Sequence, residues 1–235
     1  VTHPRVLLVE DDPSLQRFVD MALELMPLEL HCRDSVAGAI EMLQQAPVDL
    51  LITDLLLPDG SGRDLLARLR AEPALRGQAR VMVFSAGLDD AISAELVKAG
   101  AWRTLAKPCS LDDLERYVNE GLTMTVADPP TAAAPAAVDP LQQHFAGNAA
   151  LYQAFRASCL QQFAHDIEAG EAACRARDGQ ALRRLAHSLK SVLLTLGHAA
   201  ESMDAAALEL AADAADWPQA LPLWQSLRKS LGALR

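Results

Sequence analysis

The sequence predicts an α/β domain followed by an all-α domain: a doubly wound five-stranded parallel sheet, then an antiparallel four-helix bundle. Three observations lead there. Across residues 1–122, short apolar runs alternate with amphipathic helical stretches, the pattern of βα units covered on both faces. Residues 123–140 read TMTVADPPTAAAPAAVDP, a proline-interrupted tract with no apolar period, which is a linker composition. Beyond it the strand pattern vanishes, and long Ala/Leu-rich helical stretches take over. The expected division is 1–122, linker 123–140, and 141–235.

Val6–Val9, Val48–Ile52 and Val81–Phe84 are short continuous apolar runs, suited to strands buried on both faces. Leu28–Cys32 and Trp102–Ala106 are weaker strand candidates. Helical periodicity falls near 14–25, 36–45, 62–70, 89–98 and 111–121. Right-handed crossovers between such units put all strand carboxyl ends on one edge, where sites form. In the second segment, helices are expected near 148–176, 179–196, 199–215 and 217–234, punctuated by Gly147, Asp178-Gly179, Gly197 and Trp217-Pro218.

The chain has 235 residues and a net charge of −10, which argues against nucleic acid as a partner. Residues 1–122 carry 20 acidic and 12 basic side chains, and residues 123–235 carry 11 and 9. No apolar run reaches the roughly 18 residues of a membrane span, and no signal peptide opens the chain, so a cytoplasmic protein without membrane insertion is expected. Cys32, Cys109, Cys159 and Cys174 show no metal or redox spacing. They read as free thiols.

Strand ends carry the first chemical constellation. Glu10-Asp11-Asp12 follow the first strand, Asp54 the third, Ser85 ends the fourth, and Lys107-Pro108 follow the fifth. On one sheet edge these carboxylates converge, and their mutual repulsion calls for a cation. Oxygen donors select a hard ion, Mg²⁺ or Mn²⁺. A metal, a lysine and a hydroxyl around one carboxylate suit phosphoryl transfer to that carboxylate. Asp59-Gly60 reads as a turn.

The stretches VLLVEDDP, DLLITDLLLPDGSG, VMVFSA and TLAKP, in this order, resemble the receiver domain of response regulators, a flavodoxin-like fold, over residues 5–121. The resemblance implies that Asp54 is the phosphoacceptor. It implies that Glu10, Asp11, Asp54 and the Leu56 carbonyl hold Mg²⁺, that Ser85 is a switch hydroxyl, and that Lys107 contacts the phosphoryl group beside a cis Lys107–Pro108 bond. One departure is Thr104, three residues before the lysine, where the family usually has an aromatic ring.

The helical stretch QALRRLAHSLKSVLLTLG at 180–197 carries the second constellation. Leu182, Leu185, Leu189, Val192, Leu193 and Leu196 share one stripe, and His187 lies about 160° from Leu189. Arg183, Arg184, Lys190 and Ser191 share the side of His187, and Leu194 is an apolar residue on that face. Cations there keep the imidazole neutral and can hold phosphoryl oxygens. AHSLKSVLLTLG resembles the signature of histidine-containing phosphotransfer (HPt) domains, which implies His187 as a second phosphoacceptor supported by Lys190. Ser191 stands where that family commonly has glycine. His3, His31, His144, His165 and His198 read as ordinary histidines.

The expectation is a two-component phosphorelay intermediate that takes a phosphoryl group on Asp54 and carries or exchanges one on His187. No Gly-rich phosphate loop is visible, so a separate sensor histidine kinase must supply the group and a downstream receiver domain can take it. The alternatives are a phosphorylation-switched binding module with His187 idle, or a phosphate sink.

Overall fold

The computed structural model describes residues 3–123 and 139–235. These fall into two compact units, one of His3–Asp12 with Phe18–Gly147 and one of Pro13–Arg17 with Asn148–Arg235. The linker expected at 123–140 lies largely outside the described residues.

Up to Gly147 the described elements are β1 (Arg5–Val9), α1 (Pro13–Leu23), β2 (Glu29–Arg33), α2 (Val36–Gln45), β3 (Leu50–Thr53), β4 (Leu56–Leu57), β5 (Gly60–Ser61), α3 (Gly62–Ala71), α4 (Pro73–Arg76), β6 (Arg80–Ala86), α5 (Asp90–Ala99), β7 (Arg103–Lys107), α6 (Leu111–Leu122) and α7 (Pro140–Phe145). Five strands form one parallel sheet in the order β2-β1-β3-β6-β7. The β4–β5 pair is a separate two-residue antiparallel hairpin after β3. The three central strands are buried along nearly their whole length, as continuous apolar runs require. The edge strand β2, ELHCR, is half exposed.

Register sets the functional edge. Val9 is level with Thr53, Thr53 with Val83, and Ala86 with Lys107. The residues next along the chain from β1 and β3, and those at the ends of β6 and β7, therefore meet at one height. Side-chain caps begin the covering helices: Ser35 on α2, Ser61 on α3, Asp89 on α5 and Ser110 on α6 each accept a bond from a first-turn N–H.

The expected start of the second domain, residue 141, falls inside α7, which belongs to the first unit. The reason is packing. Phe145 is fully buried, with its ring edge-on to Phe18 at 5.8 Å. The buried His144 places Nδ1 3.2 Å from the Cys109 carbonyl.

The second unit is helical throughout: α8 (Ala149–Ala176), α9 (Gly179–Thr195), α10 (Ala199–Asp213) and α11 (Trp217–Leu234). Asn148, Asp178 and Asp216 cap α8, α9 and α11. Helices α9 and α10 pack together, α10 on α11, and α8 on both α9 and α11. Phe155, Phe163, Leu182, Leu189, Leu208, Trp224 and Leu227 are buried, each side chain worth about 1.5–3 kcal/mol of burial. Gly170 is needed in α8 because a Cβ there would lie 2.1 Å from the Trp224 ring. Among the described residues no helix is long and apolar enough to cross a membrane.

Candidate functional site

The sheet edge gathers residues from distant parts of the chain. The backbone positions them first: Glu10 N donates to the Arg33 carbonyl and Asp54 N to the Val9 carbonyl, both at 2.9 Å. These bonds extend the ladder one step past each strand. Thr53 Oγ1 donates to the Asp54 carbonyl at 2.9 Å. The same carbonyl lies 2.1 Å from where a Cβ on Gly62 would sit, so the chain after the hairpin can pass this close only as glycine.

The side chains of Glu10, Asp54, Ser85 and Lys107 are buried together. Lys107 Nζ donates to Asp54 Oδ2 at 2.7 Å and also to Glu10 Oε2. Ser85 Oγ donates to Asp54 Oδ1 at 2.5 Å, and the backbone N–H groups of Leu55 and Leu56 aim at the same oxygen. The Lys107 ammonium also sits 5.0 Å above the Phe84 ring centroid. The Lys107–Pro108 bond is cis.

Burial first, then the charges of Asp54 and Asp12, holds the Glu10 carboxyl well above its usual range despite Lys107. Burial and the same two aspartates push Asp11 up to about 6. For Lys107, burial pulls downward, but Asp54 and Glu10 outweigh it and the ammonium is held more firmly than in water. The cluster thus carries more negative charge than its single lysine cancels. Among the described residues no three His, Cys, Asp or Glu side chains stand together in position to hold a metal ion. Lys107 is the cation shared by Glu10 and Asp54.

The neighbouring residues take structural parts. Leu56 begins the β4–β5 hairpin, paired with Ser61. Asp59 accepts the Val36 and Ala37 N–H groups at 2.8 Å each, so it caps α2 as well as making a turn. Thr104 is half-exposed in β7, level with Val83. Burial and the nearby Asp113 charge push the Cys109 thiol up to about 12, which keeps it protonated and inert.

In the helical unit, Leu182, Leu189, Val192, Leu193 and Leu196 of the α9 stripe are buried and Leu185 is half-buried. His187 is only 8% exposed, where its place on the polar face suggests a solvated ring. Its neighbours are charged: Nδ1 lies 2.7 Å from Glu209 Oε1, and Lys190 Nζ donates to Glu209 Oε2 at 2.5 Å. Nε2 is buried without a hydrogen-bond partner, as is Ser191 Oγ. Lys190, expected to face a phosphoryl group, is here held by a carboxylate on the next helix. For Glu209 burial pushes upward, but the bonds and charges of His187 and Lys190 prevail and hold its carboxyl at about 2.

Glu209 and Gly62 are the residues that sequence reasoning passes over. Ser202, Ala205, Leu208 and Ala212 form the buried stripe of α10. Glu209 sits four residues after Ala205 and seven after Ser202, on the edge of that stripe. A carboxylate there needs a partner, and that is the signal that could have found it.

Comparison with known proteins bears on the first of these two sites. The family profile described as the response regulator receiver domain matches residues 6–119. The response regulator protein PilR of Pseudomonas aeruginosa is 33% identical over 124 residues, 53% of this chain and 27% of PilR. The sensor histidine kinase TmoS of Ectopseudomonas mendocina is 33% identical over 125 residues, 13% of its length. The chain thus spans about a quarter or less of these two relatives. The response regulator receiver protein CpdR of Brucella abortus is 33% identical over 124 residues, which cover 52% of this chain and 98% of CpdR. Among solved structures, the receiver domain of Francisella response regulator 1452 is 25% identical, covers 51% of this chain and 97% of that one, and has a TM-score of 0.48. With four strand-end motifs folded onto one edge and a relative matched along almost its whole length, the chain belongs to the response regulator receiver family, the domain of two-component systems that is phosphorylated on an aspartate.

Proposed function

We propose that the chain is a phosphorelay intermediate: Asp54 accepts a phosphoryl group from a sensor histidine kinase, and His187, in an HPt-type four-helix bundle, carries or exchanges one with an aspartate. The observation that carries the first half is the burial of one carboxylate between a lysine and a hydroxyl supplied by separate strands. An Asp54 oxygen attacks phosphorus as the donor's P–N bond breaks. Lys107 and Ser85, already on the two Asp54 oxygens, are within reach of the oxygens that gather charge. Leu55 and Leu56 N–H groups hold the carboxylate in one orientation, so little reorganisation remains.

By chemistry, though not by their present arrangement, in which Lys107 occupies Glu10 and Asp54, the donors suit a hard divalent ion. Glu10, Asp11, Asp54 and the Leu56 carbonyl offer only oxygen, and Asp11 at about 6 marks negative charge that Lys107 does not cancel. When bound there, Mg²⁺ supplies charge neutralisation for the phosphoryl oxygens.

The second half rests on an imidazole held by a carboxylate beside a lysine, with Nε2 left without a partner. The test is transfer from a radiolabelled histidine kinase to wild type, Asp54→Asn and His187→Gln. Asp54→Asn should lose the hydroxylamine-labile label, and His187→Gln the acid-labile, base-stable label. Wild-type labelling in both variants would refute the proposal.

A further inference from the structure

We propose that α7 is a working part of the phosphoacceptor site: His144 is a positioning residue that holds the chain just after Lys107, so that the lysine meets Asp54 in the geometry phosphoryl transfer needs. This rests on the reading of Asp54 as the phosphoacceptor.

Lys107 is the last residue of β7, level with Ala86, and sheet pairing ends there. Helix α6 takes hold at Ser110, whose hydroxyl caps it and whose carbonyl accepts from Leu114 N at 3.1 Å. Between the two anchors lie Pro108, which has no N–H to give, and Cys109, which is buried. The Cys109 carbonyl belongs neither to the sheet ladder nor to the turns of α6, and a buried carbonyl needs a donor. The donor is Nδ1 of the buried His144, at 3.2 Å. A carbonyl only accepts, so the proton of that bond sits on Nδ1. A lysine stem is four flexible carbons. Where its ammonium ends therefore depends on how firmly the backbone at its base is held.

A second contact lets α7 hold both sides of the site. Phe145 is fully buried, with its ring edge-on to Phe18 at 5.8 Å. Phe18 lies on α1, the helix that opens at Pro13 directly after Glu10-Asp11-Asp12. Helix α7 thus touches the element that follows the acidic residues and the loop that follows the lysine. Inside the site the same two halves are joined by the Lys107–Glu10 ion pair. The receiver profile matches residues 6–119, whereas α7 spans Pro140–Phe145, so this support comes from beyond the matched domain. A helix that only covered apolar surface would need Phe145, but not a buried imidazole on a loop carbonyl.

The experiment uses the full chain with Mg²⁺ and phosphoramidate as a small phosphoryl donor. An Asp54 oxygen forms the O–P bond as the P–N bond breaks and ammonia leaves with its electron pair. The rate of hydroxylamine-labile acyl phosphate formation is read at saturating donor and Mg²⁺, and ¹H–¹⁵N spectra read the Lys107 ammonium. His144→Ala should slow the reaction on the order of tenfold and shift the Lys107 signal. His144→Asn puts a side-chain N–H where Nδ1 stands, and should recover most of the rate and the wild-type signal. His144→Gln carries its amide one bond further out and should recover neither. An unchanged rate in His144→Ala, equal rates in the Asn and Gln variants, or a slowed rate with an unmoved Lys107 signal would overturn the role of His144 while leaving Asp54 a phosphoacceptor. A wild-type chain that forms no acyl phosphate on Asp54 would instead end that reading, and this role with it.

Discussion

The sheet edge and the α9–α10 pair handle buried charge in different ways. At the sheet edge, one lysine lies between two carboxylates delivered by strands far apart in sequence, Glu10 and Asp54, and further acids crowd the same loop. On the helices, one carboxylate lies between two basic groups one turn apart, His187 and Lys190. The first cluster has spare negative charge, whereas in the second the one carboxylate is tied to both His187 and Lys190. A site short of a cation suits receiving a phosphoryl group together with a divalent ion. A lysine beside an imidazole suits holding phosphoryl oxygens directly. The sheet edge is also over-determined by topology, whereas the helical site depends on a single helix pair.

The sharpest way to break this comparison is to remove the shared cation. Lys107→Met leaves Glu10 and Asp54 facing each other in a buried place, and without added divalent ion it should cost about 3–5 kcal/mol in urea unfolding. Added Mg²⁺ should restore part of that stability, and no equivalent rescue should follow Lys190→Met.

Phe145→Ala should cost about 3–5 kcal/mol in thermal or urea unfolding of the first unit, because the ring is fully buried against Phe18. A loss under about 0.5 kcal/mol would remove α7 from that unit. Gly62→Ala forces the loop away from the Asp54 carbonyl and should cost about 1–3 kcal/mol. Asp54 phosphorylation should fall with it, measured as label incorporation.

The pH dependence separates the sites further. The Glu209 carboxyl is held at about 2 in the folded chain, against roughly 4.3 when exposed in the unfolded chain. A depressed carboxyl stabilises the fold fully above its unfolded value, and that contribution is lost as pH falls through the folded value. The wild type minus Glu209→Gln difference should therefore be flat above pH ~5 and shrink between about 4 and 2, by about 1–2 kcal/mol once solvent screening is allowed for. The smallest effect belongs to the exposed Arg183–Asp213 pair. Asp213→Asn should change stability by less than about 0.5 kcal/mol and leave His187 phosphorylation intact.

Much of this architecture was legible because it follows from periodicity. The runs around Leu7, Leu51 and Val83 read as doubly buried strands, and their parallel order put Glu10, Asp54, Ser85 and Lys107 on one edge. The leucine stripe of α9 was legible in the same way, but the burial of His187 was not. What escaped depends on proximity across space. Gly62 matters through a carbonyl eight residues earlier that the hairpin folds back upon it. Asp59 caps a helix whose start lies more than twenty residues upstream. Glu209 sits in an alanine-rich helix whose weak amphipathicity hides its buried edge. Residues from 141 read as the start of the next domain because the linker tract ends at Pro140, yet Phe145 and His144 find their partners in the first unit.

The most direct test is site mapping of the phosphorylated wild-type chain by peptide mass spectrometry under conditions that preserve acyl phosphates and phosphohistidine. The expected result is phosphoryl on Asp54 and on His187, with none on Asp11, Asp12, Asp59 or the other histidines. Phosphoryl on a different carboxylate, or a His187 that stays bare while Asp54 is filled and a receiver acceptor is present, would contradict it.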